Sequence, residues 1–110
     1  NIVVVGANDP DMKAAVEKVV AMQGGLAVAK DGAILEALPL SIAGLMSPLP
    51  IQRVDEKLSR LEQTIAALGG KSEHPFMSLA FLALSVIPAL KLTDKGLVDV
   101  TQFCFVPLQD

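Results

Sequence analysis

The sequence predicts an α/β domain of the α+β type, in which two to three helices cover a mixed β-sheet. Two stretches place apolar residues at helical spacing, and several short apolar runs between turn residues are typical of strands. The order of strand, helix, hairpin, helix and further strands favours a sheet with both parallel and antiparallel neighbours. We expect residues 1–110 to form one domain, since this length suffices for a single core.

The first predicted unit is a strand followed by a helix. Residues 2–5 are β-branched and apolar on both faces, which predicts a buried strand. Asp9 is the expected N-cap of the helix, and Pro10 suits its first turn. Apolar residues recur at helical spacing from Met12 to Met22, and the pair at Gly24 and Gly25 predicts the end of the helix.

A hairpin and an apolar connector come next. Asp31-Gly32 separates two apolar runs, residues 26–30 and 33–38, and this pair favours a type I′ turn with positive φ at both positions. The following stretch, residues 40–50, is apolar without a clear period. Because loops are normally polar, we expect this connector to pack against another surface.

The second helix is the clearest element of the sequence. Its apolar residues repeat at spacings of three and four and form one stripe, and a glycine pair at residues 69 and 70 ends it. The stripe consists of Ile51, Val54, Leu58, Leu61, Ile65 and Leu68.

The last third of the chain predicts a third helix and three strands. A helix is expected from Pro75 to about Leu84, and its nearly all-apolar composition predicts burial. Strands are expected at residues 89–92, 97–100 and 103–106, with a type I turn at residues 93–96.

The composition suggests a partner. Hydrophobic residues make up 52% of the chain, mean hydropathy is +0.52 and charged residues are 19%. We expect a domain this small, with so many apolar residues, to expose an apolar contact surface. The alternative is a free-standing domain that is rich in aliphatic residues. The chain starts at Asn1 and enters an apolar run at once, so we expect a missing upstream segment, although a processed or trimmed protein would start in the same way.

The net charge and the cysteine content limit which partners and which cellular compartment the sequence favours. The net charge of −3 offers no basic stripe for nucleic acid. No apolar run is long enough to span a membrane, and the sequence shows no signal peptide. One cysteine excludes an internal disulfide and suits the cytoplasm.

The sequence offers no catalytic residue and no metal ligand set. His74 is the one histidine, and a lone imidazole next to Pro75 is more often a capping or exposed residue than a catalytic one. Zinc-type sites need several ligands, which one histidine and one cysteine cannot supply. Cys104 lies between two phenylalanines, which predicts a buried and inert thiol. Asp94 and Lys95 could present polar groups to a neighbouring domain, although a plain turn is the commoner explanation for such residues.

Four stretches resemble the C-terminal domain of bacterial adenine deaminases, members of the amidohydrolase superfamily. They are residues 2–6 with 8–12, residues 38–47, residues 75–82 and residues 86–100. The resemblance implies an enzyme of purine salvage that hydrolyses adenine to hypoxanthine and ammonia. It further implies a divalent metal, manganese, iron or zinc, in a (β/α)₈ barrel whose ligands have no matching position here. This chain would then be an accessory domain without activity of its own.

A related deaminase that acts on another purine-like substrate also fits the resemblance. On this view, the apolar segments pack on the barrel or on a neighbouring subunit, and a homo-oligomer is expected. The hypothesis places the interdomain contact at six residues: Gly44, Leu45, Met46, Ser47, Phe76 and Phe81. Two alternatives remain at this point. One is a regulatory module that binds a small ligand at residues 6–11, and the other is an oligomerisation module built on the helix at residues 51–68.

Overall fold

The computed structural model describes residues 1–108, and its strands form two separate antiparallel sheets. The helices are α1 (Asp9–Ala21), α2 (Ile51–Ala67) and α3 (Pro75–Ala83). The strands are β1 (Gly25–Lys30), β2 (Ala33–Pro39), β3 (Leu90–Thr93), β4 (Gly96–Asp99) and β5 (Cys104–Val106). The α+β class is confirmed. The mixed sheet is wrong, because the paired strands within each sheet follow one another through connections too short for a parallel crossover, and the long connection from β2 to β3 joins two different sheets.

The described chain divides into two compact units. One runs over Val4–His74 and contains α1, the β1–β2 hairpin and α2. The other combines residues 1–3 with the part from Pro75 onwards, and contains α3 and the β3-β4-β5 sheet.

The β1–β2 hairpin confirms the turn predicted from Asp31-Gly32. Both residues have positive φ, 52° and 75°, as a type I′ turn requires, and Lys30 pairs with Ala33 across it. A register shift between Val28 and Ala29 marks a β-bulge farther along the hairpin. Both α1 and α2 pack against this hairpin.

Helix α1 begins one residue earlier than the sequence predicts. The side chain of Asn8 accepts a hydrogen bond from the backbone N–H of Asp11 at 2.9 Å, so Asn8 is the N-cap. The prediction of Asp9 as the cap is therefore wrong. Asp9 is the first helical residue, and Pro10 follows in the first turn, where its missing N–H costs nothing.

The core of the Val4–His74 unit lies between α2 and the hairpin. Leu61 of α2 is 0% exposed, and Val28 and Leu38 of the two strands are also buried. The apolar stripe of α2 is confirmed in its middle, whereas its two ends, Ile51 and Leu68, are exposed. The helix ends as predicted at the glycine pair, where the Gly70 N–H donates to the Ile65 carbonyl at 2.9 Å.

The other unit is built on the β3-β4-β5 sheet. Its predicted strands and the turn between β3 and β4 are confirmed within one or two residues. Val100, just after β4, is buried, and its N–H donates to the Ala89 carbonyl at 2.9 Å. Helix α3 approaches the sheet at β3.

Three predictions of burial are wrong. Residues 2–5 have no regular secondary structure and are exposed, because no strand within residues 1–108 pairs with them. None of the residues of α3 is buried, because a helix that is apolar all round cannot cover every side against one short sheet. Cys104 is exposed, because β5 is an edge strand with one neighbour.

The buried position of Leu61 predicts a large stability effect. We expect Leu61→Ala to lower the unfolding free energy of the chain by about 2–5 kcal/mol, because the deletion leaves a cavity between α2 and the hairpin. Urea unfolding followed by circular dichroism measures the change. The matched control Leu45→Ala, at a side chain that is 77% exposed, should stay within about 0.5 kcal/mol. Equal losses in both variants would contradict this core.

Candidate interdomain surface

Large apolar side chains are mostly exposed in this chain. In residues 1–108 the buried hydrophobic side chains are those of Val28, Leu38, Leu61 and Val100. Exposed valine, leucine, isoleucine, methionine and phenylalanine side chains occur in both units. An apolar surface of this extent typically marks a contact with another domain or chain.

The predicted contact residues Gly44 to Ser47 lie in a tight turn of the connector. Ile42 and Met46 form an isolated bridge, in which each N–H donates to the other residue's carbonyl at 3.1 Å. Ala43 and Gly44 have φ values of 57° and 73°, which reverse the chain between them. The turn is therefore defined by backbone hydrogen bonds and not by burial of its side chains.

The turn rests on the glycine pair that follows α1. The Leu40 N–H donates to the Gly24 carbonyl at 3.1 Å, and Gly24 approaches Gly44 so closely that a Cβ on Gly24 would collide with the Gly44 backbone. Leu45 and Met46 are 77% and 58% exposed at the tip of this turn. The connector is thus a supported apolar protrusion, and not a collapsed loop.

Ser47 ends this segment in a half-buried position. Its Oγ accepts a hydrogen bond from the Leu49 N–H at 3.2 Å, which begins the approach to α2.

The predicted contact residues Phe76 and Phe81 lie on α3 in the other unit. Phe76 is half-buried, and Phe81 is 48% exposed. Met77 and Leu82 of the same helix are also exposed. The part of α3 that faces solvent is therefore as apolar as its packed side.

The predicted polar contact residues Asp94 and Lys95 are the two central residues of the β3–β4 turn, and both are exposed. The Lys95 N–H donates to Thr93 Oγ1 at 3.1 Å, and the Thr93 hydroxyl donates to the Gly96 carbonyl at 2.9 Å. These bonds define the turn itself.

Residues with potential chemistry are dispersed. His74 is exposed, and its Nδ1 lies 3.8 Å from Oε1 of Glu62. Over residues 1–108, no group of three or more histidine, cysteine, aspartate or glutamate side chains could hold a metal ion. Nor does any helix in this range have the length and apolar character needed to cross a bilayer.

The segment considered for a small ligand, residues 6–11, is occupied by its own contacts. The Met12 side chain packs against Gly6. The Asp11 carboxylate accepts hydrogen bonds from the Gly32 N–H at 2.7 Å and from the Asn8 side chain at 2.9 Å. The Gly32 backbone hydrogen bond, followed by the Asn8 bond, lowers the pKa of Asp11 below 3.8. The helix start is thus tied to the hairpin turn, which does not favour a ligand there.

The helix considered for oligomerisation uses its stripe within its own unit. Leu61 is fully buried, and Leu58 and Ile65 are half-buried against neighbouring elements. This packing leaves only the two ends of the stripe, Ile51 and Leu68, exposed and does not favour self-association through α2.

Exposed apolar residues outside the six predicted positions were missed from the sequence. They include Leu90 and Leu92 of β3, and Phe103 and Phe105 around β5. The alternation of leucine with lysine and threonine in β3 was the available signal, since it places both leucines on one side.

The fold and this surface define a small α+β domain of the accessory type. Residues 1–104 match the family described as the adenine deaminase C-terminal domain. The chain is 60% identical over 108 residues to an adenine deaminase of Desulfatibacillum aliphaticivorans, 55% identical over 108 residues to one of Oleidesulfovibrio alaskensis and 48% identical over 110 residues to one of Halalkalibacterium halodurans.

These alignments cover 98–99% of this chain and 19% of each relative. The chain belongs to the adenine deaminase C-terminal domain family, and it spans about a fifth of the length of the curated relatives it matches.

The Asp11 contacts predict an acid-dependent stability. Because the pKa of Asp11 is lowered in the folded chain, its contribution is complete above 3.8 and is lost as the pH falls through the lower folded value. We expect Asp11→Asn to destabilise the chain at pH 7 and to make its unfolding free energy less dependent on pH below 3.8. Urea titrations at several pH values measure this. Asp55→Asn on α2 is the control, and an equal change there would refute the assignment.

Proposed function

We propose that this chain is the accessory C-terminal domain of a metal-dependent adenine deaminase, which converts adenine and water to hypoxanthine and ammonia in purine salvage. The observation that carries the proposal is identity of 48–60% along nearly the whole chain with proteins named adenine deaminase. The match covers 19% of each relative, so we assign to this chain the role of one domain and not that of the whole enzyme.

We assign the catalytic residues and the divalent metal, manganese, iron or zinc, to a preceding barrel domain. The side chains of residues 1–108 do not fit such an ion, because they bring together no group of three possible ligands. His74 has a carboxylate near it but no second imidazole, and Cys104 lies on a different unit. The domain therefore contributes through packing.

The proposed partner is the barrel domain of the same polypeptide, in contact with Gly44 to Ser47 and with Phe76 and Phe81. Leu45 and Met46 support this, because a hydrogen-bonded turn presents them to solvent without local cover. The backbone of this turn loses little conformational freedom on docking, since it is already ordered.

A homo-oligomer and a cytoplasmic location complete the proposal. Large apolar side chains are also exposed outside the two predicted contact segments, and we propose that a second copy of the protein packs on them. The exposed free thiol of Cys104 suits a reducing compartment.

Activity tests the proposed reaction. We expect the full-length protein to release ammonia and hypoxanthine from adenine after loading with manganese, iron or zinc. The 110-residue chain, prepared in parallel, should release none and should show no thermal stabilisation by adenine. A full-length protein that is inactive on adenine with all three metals, or ammonia release by the chain alone, would refute the proposal.

Substitution at the turn tests the proposed contact. We expect Leu45→Asp in the full-length protein to cost about 1–3 kcal/mol, because a carboxylate would be buried without a partner. The melting temperature should fall, and protease cleavage before this domain should accelerate. Gln52→Asp adds the same charge at an exposed polar position on α2 and should change neither. Equal behaviour of the two variants would exclude Leu45 from the interface.

A further inference from the structure

The β3-β4-β5 sheet has two faces of different chemistry. Residues paired directly across antiparallel strands project to the same side, and so do residues two positions apart along a strand. These rules collect six residues on one side, of which one is Asp99. We name the other five the aliphatic face: Leu90, Leu92, Leu97, Cys104 and Val106. The opposite side carries Lys91, Thr93, Val98 and Phe105.

The aliphatic face is open to solvent in this chain. Leu90 and Leu92 are 54% and 64% exposed, and Cys104 is exposed as well. Sheet faces that consist of leucine and valine are normally covered by another layer. Within the described residues of its own unit, no element covers these three side chains.

The one acid on this side is already bound. Asp99 pairs with both Leu90 and Cys104, and its carboxylate accepts hydrogen bonds from the N–H groups of Thr101 and Gln102 at 2.9 and 3.0 Å. The Gln102 side chain donates a third at 3.0 Å. Because the Asp99 carboxylate keeps these hydrogen bonds at the end of the sheet, an apolar partner could cover the leucines without burying an unpaired charge.

We propose that the aliphatic face is a docking surface for the preceding domain of the same polypeptide. This inference rests on the proposed function and deepens it by naming a surface that the sequence did not indicate. The relatives are about five times as long as this chain, so a much larger body is available to cover the face. Covalent connection gives that body a high effective concentration at the face.

The size and chemistry of the unit favour this occupant. Residues 1–3 with the part from Pro75 onwards number fewer than about 40, a size that usually needs a disulfide, a metal or further packing for stability. The unit has one cysteine and therefore no internal disulfide. An apolar face is typical of permanent interfaces, and a contact between two parts of one polypeptide persists as long as that polypeptide is intact.

The reactivity of the Cys104 thiol shows directly whether the aliphatic face is covered. Alkylation needs access of the reagent to the thiolate, and Cys104 lies in the same cross-strand row as Leu90. We would treat the full-length protein with N-ethylmaleimide, quench at intervals and follow the Cys104 peptide by mass spectrometry. We expect labelling at least about tenfold slower than in the urea-unfolded protein, because the reagent must wait for the interface to open.

Two variants at one position provide the matched comparison. Leu92→Glu places a charge on the face and should bring Cys104 labelling towards the rate of the unfolded protein. Leu92→Met keeps an apolar side chain of similar volume and should preserve protection. The wild-type measurement stands by itself if Leu92→Glu fails to fold.

Three outcomes would overturn the proposal. The first is labelling of wild-type Cys104 at the unfolded rate, and the second is full protection in a folded Leu92→Glu protein. The third is protection that disappears when the protein is diluted to a monomer, since a second copy would then be the occupant. Adenine deamination assayed on the same preparation separates this inference from the proposed function, because a covered face does not require that reaction.

Discussion

The structure of this chain depends on one constraint: its core is too small to bury most of its apolar residues. Hydrophobic residues make up 52% of the sequence, yet the buried ones in the described chain are Val28, Leu38, Leu61 and Val100. Two small units have a high ratio of surface to volume, so neither can enclose the leucines and phenylalanines that it carries. The exposed turn at Leu45, the open sides of α3 and the aliphatic face all follow from this constraint. At each of these places, the apolar side chains of a turn, a helix or a sheet have no second layer of structure over them.

Hydrogen bonds give local order where burial is lacking. Asp11 joins the start of α1 to the hairpin turn through the Gly32 N–H, and the close approach of Gly24 to Gly44 supports the connector. Such contacts hold surfaces in a defined shape without hiding their apolar side chains. A domain that is ordered before docking loses less conformational entropy when its partner covers it.

Elements encoded by local chemistry could be predicted from the sequence. The Asp31-Gly32 turn needs positive φ at two successive residues, and the stripe of α2 needs one apolar side, so short stretches suffice for both. Burial could not be predicted in the same way. Residues 2–5 and Cys104 have the composition of interior strands, but burial depends on which neighbours are present. Of the candidate site, Leu45, Met46 and Phe81 were recognised as apolar segments needing cover, whereas Leu90 and Leu92 required the sheet register.

The wrong burial predictions bear on the proposed partner domain. The strand composition of residues 2–5, the nearly all-apolar α3 and the phenylalanines around Cys104 are typical of residues that another layer of structure covers. The chain spans a fifth of its relatives, so that environment need not lie within its own residues. Apolar composition and exposed position are therefore consistent with each other once the partner is included. On this reasoning, a sequence that overpredicts its own core identifies the surfaces on which the proposed partner domain would pack.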